Sequence, residues 1–460
     1  MSKNLKSEYA SITKEILSLS REEYFRLRRS RRIVRIVAVV LLMLFFLFWF
    51  LLETMPFLNA GLTFLFSSVC FTAGCLLLYY GFTGKKYRVL SYVYFKKKQE
   101  DGSKSEEGSG DEQDSGAEAD EKTDEEIINS RIYGCLLGCA VGDALGYPVE
   151  QMPREQINSN FGKDGVTGYI TDAASGKALI SDNTQMALFT AEGLLDRDNK
   201  AIDGIYKSCL DWYLTQTGYF YERPDNPSEL LKHKELFERR SPDSVCLDVL
   251  SSGIMGTVTK PVNSDKGCSG MIRAVPVSFM GSDDILETDK LAIQAAAITH
   301  GHPRGFLPAG LLVHILNRII YDRSEPLAEI IRNCITEFSG LFSAAPTIIE
   351  LTSATRKAIV LAENAGGDYE NIKELGNGLS ADEALATGIY CAVRHSGSFS
   401  DAVAAAVNQD GNSSAAGAVA GSIAGAYLGD AAIDAKWKSP LELYNLILKT
   451  ANEFCFDSAV

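Results

Sequence analysis

Residues 33–52 are almost continuously apolar, interrupted only by Arg35, and a second apolar run covers residues 58–82. In hydrocarbon every backbone polar group must be satisfied within the chain, so apolar runs of this kind fold as helices. Roughly 20 helical residues cross the core of a bilayer. Only Glu53, Thr54, Met55, Pro56 and Phe57 separate the runs, so residues 33–82 are expected to form a tight two-helix transmembrane hairpin. Gly61, Ser67, Ser68 and Gly74 are small enough for close packing of the second helix against the first. A cleaved signal peptide is the alternative for the first run. The second run, and the lack of a clear small-residue cleavage site, argue against it.

The flanks set the expected orientation. Arg26, Arg28, Arg29, Arg31, Arg32 and Arg35 lie before or at the start of the first run. Lys85, Lys86, Arg88, Lys96, Lys97 and Lys98 follow the second. Positive charge on both sides predicts that the basic segment 1–32 and everything after the hairpin face the cytosol. The expectation is a two-pass membrane protein with its soluble part in the cytosol.

Residues 83–126 begin basic and turn acidic. From Gln99 onward they are rich in Asp, Glu, Ser and Gly and lack apolar periodicity. Such a segment cannot bury enough surface to offset its ordering entropy, and a self-repelling tether is expected. From residue 127 to 460 the pattern is helical. Leu311, Leu312, Ile315, Leu316 and Ile319 share one helical face, with His314, Asn317 and Arg318 off it. Ala-rich runs such as 402–407 also favour helix. Strict alternation is scarce, so the fold class is all-α. The net charge of -14 argues against a nucleic-acid partner bound through its phosphates. The ten cysteines show no CxxC pair, which suits a reducing compartment better than a disulfide framework.

Three blocks within this region carry chemistry. The first, Gly134 to Gly146, is studded with Gly and Ala, includes Asp143, and runs into Tyr147, Pro148, Val149 and Glu150. The second is Ser181, Asp182, Asn183, Thr184, Gln185 and Met186. The third runs through Asn408, Gln409, Asp410, Gly411, Asn412, Ser413, Ser414, Ala415, Ala416 and Gly417 into a small-residue stretch ending at Gly429. Alone, the second block reads as a helix N-cap supplied by Ser181, Asp182 or Asn183, and the small-residue stretch reads as close helix packing. In this order and spacing, the blocks resemble the ADP-ribosylglycohydrolase family, over about residues 127–448.

The resemblance implies a compact all-α domain in which paired Mg2+ ions help to cleave ADP-ribose from a modified target. The family's second block reads Ser/Thr-Asp-Asp-Thr, and its hydroxyl and carboxylates ligate the metal. Here Ser181 and Asp182 match, and Asn183 replaces the second acid. The third block reads Gly-Asp-Ser-Asp-Ser-Thr-Gly. Aligned on Gly411, Ser413 and Gly417, its two acids become Asn412 and Ser414, and its hydroxyl becomes Ala415. Asp410 lies one residue early and inherits no ligand role. The metal residues implied are therefore Ser181, Asp182, Asn183, Asn412 and Ser414, with Asp182 the sole survivor of four carboxylates. Mg2+ demands oxygen ligands, and carboxylates also cancel its charge. Bound Mg2+ is accordingly expected to be weak or absent.

Other matches are better kept. Glu150 falls where the family places an acid near the ADP-ribose, so Glu150 and Asp182 are the catalytic candidates; a surface acid after a proline turn is the alternative for Glu150. Gly267, Cys268, Ser269 and Gly270, followed by Met271, Ile272, Arg273, Ala274, Val275 and Pro276, resemble the family's loop beside the ligand. Such glycines bring backbone N–H groups close to a diphosphate. Arg273 is either part of that site or a structural ion-pair partner. His300, in Thr299-His300-Gly301-His302-Pro303, is expected either to orient the ligand or to cap a helix. Two functions compete. One is binding of ADP-ribose or a related nucleotide at a membrane with hydrolysis impaired. The other is an active Mg2+-dependent hydrolase acting on an ADP-ribosylated protein or small acceptor.

Overall fold

The computed structural model describes residues 123–196, 200–218, 228–281, 284–322 and 325–455. The expected hairpin, both its flanks and all but the end of the expected tether lie outside these residues. Among the described residues the regular structure is helical, with no strand and only two isolated bridges, Ala178 to Leu441 and Thr257 to Lys260. The all-α reading of the domain holds.

The helices run in chain order as α1 (Asp124–Gly146), α2 (Arg154–Phe161), α3 (Asp182–Leu195), α4 (Ala201–Thr217), α5 (Ser244–Ser251) and α6 (Ser269–Ile272). Then follow α7 (Ile285–Ala297), α8 (Pro303–Tyr321), α9 (Leu327–Leu341), α10 (Ile348–Glu363) and α11 (Asp368–Lys373). The last are α12 (Ala381–Arg394), α13 (Phe399–Val407), α14 (Ser413–Leu428), α15 (Ala435–Lys438) and α16 (Tyr444–Asn452).

Helix α1 starts ahead of residue 127, because Thr123 supplies a cap that periodicity does not reveal. The Thr123 hydroxyl accepts from the Glu126 N–H at 3.3 Å, and the Glu126 carboxylate accepts from the Thr123 N–H at 2.7 Å. This reciprocal arrangement satisfies two orphan donors at once. Together with the short turn after it, α1 is long and apolar enough to cross a membrane by composition. It is nevertheless the domain's central helix, buried from Gly134 to Gly146.

Its partner is α14, which is also buried almost throughout. Gly134, Gly138 and Gly142 of α1 face Gly425, Gly421 and Gly417 of α14, antiparallel and stepping one helical turn at a time. A Cβ on Gly142 would lie 1.8 Å from the Gly417 carbonyl oxygen, so the two backbones are in direct contact. This confirms the packing role expected for the small-residue run. Helices α12 and α13 pack against α14, α3 pairs with α4, and α7 pairs with α8.

In α8 the structure corrects the expected face. His314 and Asn317 are buried with the apolar residues, because α8 is covered from several directions by α7, α9, α12 and α14. Their polar groups are matched internally. His314 Nδ1 lies 2.8 Å from Asp289 Oδ2, and Asn317 Nδ2 donates to the Ser278 carbonyl at 3.1 Å. Arg318 alone stays off the face, paired with Glu337 at 2.7 Å.

Candidate functional site

The close approach of α1 and α14 determines where the three blocks meet. Gly146, at the end of α1, lies against Ser413 at the start of α14. The N-terminus of α3 joins them, because Asp143 of α1 gathers its first residues. Ser181 donates to Asp143 through its N–H at 2.9 Å and its hydroxyl at 2.5 Å, and the Thr184 hydroxyl adds a third bond at 2.5 Å. Burial pushes the Asp143 carboxyl above its usual pKa, against the pull of these donors. Ser181 is the N-cap of α3: its oxygen accepts from the Asn183 N–H at 3.1 Å. Its hydroxyl is therefore committed at both ends.

The substituted positions bond to one another. Asn183 Nδ2 lies 3.4 Å from Ser414 Oγ. Ser414 Oγ in turn lies 3.0 Å from both Glu150 Oε1 and Asn412 Oδ1, with one proton to share between them. Asn412 caps α14, its Oδ1 accepting from the Ala415 N–H at 2.9 Å. The structure thus brings together Glu150, Ser181, Asp182, Asn183, Asn412 and Ser414. Asp410 stands apart, accepting from the Arg154 N–H and the Tyr369 hydroxyl. Asn183 Oδ1 is buried and accepts no hydrogen bond, so one neutral oxygen is open to a cation. Asp182 adds a carboxylate, one oxygen of which takes the Asp243 N–H at 2.9 Å. Among the residues that the resemblance names, one open neutral oxygen and one carboxylate would be left to hold a Mg2+. That set does not fit a pair, because the other former ligands are neutral and already hydrogen-bonded.

The acids crowd one another. Burial is the main force raising Asp182 well above the usual carboxylate range, and the charges of Asp243, Asp143 and Glu150 push the same way. Glu150 is raised chiefly by burial, more than its Ser414 bond lowers it. Asp243 goes the other way: burial would raise it, but the contact and charge of His300 outweigh that and bring it to about 2.

The loop of Gly267, Cys268, Ser269 and Gly270 sits beside this cluster, near enough for Asp243 and Glu150 to act on the Cys268 thiol. Gly267 donates its N–H to Asp265 Oδ1 at 2.7 Å, so that group is already used within the loop. Gly270 is needed for packing, since a Cβ there would lie 2.9 Å from His300 Nδ1. Cys268 is buried with its thiol on the Gly378 carbonyl, and Ser269 opens α6. Clefts lie on either side of the loop. One, of 460 Å³, is lined by residues including Lys266, Gly267, Arg304 and Asn377. The other, of 650 Å³, lies against Val245, Asp248 and Asn263. Both fall in the size range of small-ligand sites.

The sequence pattern of the ADP-ribosylglycohydrolase family matches residues 124–458. The chain belongs to the ADP-ribosylglycohydrolase family. Over 90 residues it is 38% identical to the uncharacterized protein YegU of Escherichia coli (strain K12), a match covering 18% of this chain and 27% of that protein. The chain therefore spans 27% of the length of that curated relative. A solved structure described as an ADP-ribosylglycohydrolase-related protein complex superposes with a TM-score of 0.50 at 22% identity, covering 71% of this chain and 97% of that one. At that identity the likeness speaks for the fold.

Within this ADP-ribosylglycohydrolase domain, His300 is wholly buried and caps no helix; the neighbouring His302 caps α8. Arg273 is also wholly buried, and of its two expected readings the ion pair is not seen among the described residues. It donates to the carbonyls of Ala295 and Ala296, to Thr299 Oγ1 at 2.7 Å and to Cys246 Sγ at 3.7 Å. These bonds tie the loop to the end of α7. Two acids at the site were given no role by the sequence reading: Asp143, although it lies in the first block, and Asp243. A carboxylate in an apolar, Gly-studded helix signals Asp143, since a buried acid needs donors. Asp243 follows Arg240, Ser241 and Pro242 and reads only as the N-cap of α5.

Proposed function

We propose that this ADP-ribosylglycohydrolase-family protein binds ADP-ribose or a related nucleotide, held at the cytosolic face of a membrane by its apolar hairpin, with hydrolysis of ADP-ribosyl linkages impaired. The observation that carries the reading is the set of hydrogen bonds that ties Asn183, Asn412 and Glu150 to the Ser414 hydroxyl, with neutral groups at 183, 412 and 414 where the family has acids. Two divalent ions about 4 Å apart repel by roughly 16 kcal/mol at an effective dielectric near 20, four times the value for unit charges. Neutral amides and a hydroxyl bring dipoles against that repulsion, not charge. The cleft beside the Gly267 loop carries Lys266 and Arg304 but also Asp265 and Glu383, and Arg304 is paired with Asp382 and Glu383, which leaves Lys266 as the base to meet an anionic ligand.

An active hydrolase is the second reading. It is favoured by the acids that remain, since Asp143, Glu150, Asp182 and Asp243 are close enough to act on one another's titration. Calorimetric titration of the purified full-length chain with ADP-ribose, with and without Mg2+, separates the two. The expected result is binding that Mg2+ barely alters, with no ADP-ribosyl hydrolysis. The variant carrying Asn183→Asp, Asn412→Asp and Ser414→Asp should bind Mg2+ at least about tenfold more tightly, for which about 1.4 kcal/mol suffices. Tight Mg2+ binding with steady hydrolysis by the unsubstituted chain would overturn the proposal.

A further inference from the structure

We infer that Asp243, Cys246 and His300 form a site for a borderline-soft divalent cation of the zinc class, separate from the candidate Mg2+ ligands. The ligand atoms of these three residues all lie within 4.8 Å of one another. Asp243 Oδ2 is 3.3 Å from His300 Nε2 and 3.5 Å from Cys246 Sγ. Tetrahedral coordination with bonds of about 2.0–2.3 Å sets donor atoms roughly 3.3–3.8 Å apart. Two edges of the triangle already have that length.

Asp243 and His300 each have one side-chain atom held elsewhere and a second facing the site, while the one sulfur of Cys246 contacts Asp243, Thr299 and Arg273. Asp243 is the N-cap of α5, and its Oδ1 takes the Val245 N–H at 2.9 Å, leaving Oδ2. Cys246 sits in the first turn of the same helix, on the side of its cap. His300 places Nδ1 2.8 Å from Thr299 Oγ1. Its Nε2 is wholly buried and faces two carboxylates, Asp243 Oδ2 at 3.3 Å and Asp265 Oδ1 at 3.7 Å, without a well-aligned hydrogen bond to either. Metal binding selects the tautomer in which Nδ1–H donates to Thr299, leaving the Nε2 lone pair for the cation. An outer hydrogen bond of this kind is how ligating histidines are usually held.

Burial and the Asp243 charge hold the Cys246 thiol well above its usual pKa, so the cation itself must drive its ionisation, helped by Arg273. The buried guanidinium of Arg273 lies on the Cys246 sulfur and also donates to Thr299, so one cation supports both the thiolate and the partner of His300. As the metal–sulfur bond forms, the Cys246 S–H bond breaks and its proton goes to solvent. The thiolate and the Asp243 carboxylate then balance the two positive charges of the ion. Asp265 Oδ1, 3.7 Å from His300 Nε2, stands on the partly exposed side where a fourth ligand enters. A thiolate and an imidazole select zinc or cobalt over magnesium. The inference depends neither on nucleotide binding nor on loss of the Mg2+ site.

The test is to strip the reduced full-length chain with a chelator and titrate it with Co2+. One equivalent should bind with an intense thiolate-to-cobalt band in the near ultraviolet, displaced by Zn2+ and not by excess Mg2+. Cys246→Ser should abolish the band, and His300→Gln should weaken Co2+ binding by about tenfold or more. No such band in the natural chain, or one that survives in a folded Cys246→Ser protein, would overturn the site. X-ray absorption at the zinc edge of the natural chain needs no variant. One sulfur among nitrogen and oxygen ligands is expected, and an all-oxygen shell contradicts the assignment.

Discussion

Asp368 opens α11 with its carboxylate held from two sides. The Tyr390 hydroxyl donates to one oxygen at 2.7 Å, and His395 Nε2 lies 2.9 Å from the other. Burial alone would raise its pKa, but the His395 and Tyr390 bonds and the nearby charges of His395 and Arg394 outweigh it, and the carboxyl is lowered. A folded-state pKa below the unfolded value of about 3.9 means stability that is present above about pH 4 and lost as pH falls through the folded pKa. Asp368→Asn should therefore reduce stability by an amount that is level near pH 5.5 and shrinks towards pH 3, as followed by urea unfolding. A difference that widens on acidification would contradict the argument. At this scale the site was half legible. Ser181, Asp182 and Asn183 stand together in the sequence, so their shared helix start could be read directly. Asp143 and Asp243 complete the acid cluster from 38 residues before Ser181 and 61 after Asp182, and only the packing of α1, α3 and α5 brings them there.

Between elements, the strongest constraint is the contact of α1 with α14. Both helices are apolar and small on nearly every side, so each is built to be surrounded. Their Gly and Ala content made close packing readable in advance; their pairing was not, because nothing local in residues 134–146 says that their partner lies at 413–425. Gly142→Ala would force a methyl to within 1.8 Å of the Gly417 carbonyl oxygen, which no side-chain rotation relieves. The expected loss is about 3 kcal/mol or more, at the upper end for overpacked cores. Gly168→Ala is the control, since a Cβ there meets nothing within 4 Å and should change stability by about 0.5 kcal/mol or less. Equal Tm values for the two variants would mean that the helices can separate at little cost. The α8 face shows the opposite limit of periodicity. Its apolar stripe was read correctly, yet burial of His314 and Asn317 follows from neighbours supplied by four other helices.

For the molecule as a whole, the described residues, 123–455, fall in one compact unit, and the family match covers 124–458. The all-α class of this unit was legible because helical periodicity and Ala-rich runs persist through it. The buried apolar cluster runs from Ile132 to Ala451 and draws on nearly every described helix. Helix α1 carries its own N-terminal cap in Thr123 and Glu126, so its start does not rely on the preceding chain to satisfy those donors. A unit of this size buries a large share of its unfolded surface, enough to fold on its own core. A fragment of residues 119–458 should therefore unfold in one cooperative transition, with a Tm within a few degrees of the same transition in the full-length chain. Circular dichroism against temperature, with a dye for exposed apolar surface, reads this directly. A broad melt with dye bound at room temperature would mean that the apolar segments before residue 119 contribute to the core. A sharp melt would confine their role to placing the domain, and the calorimetric and cobalt measurements could then be repeated on the fragment without detergent.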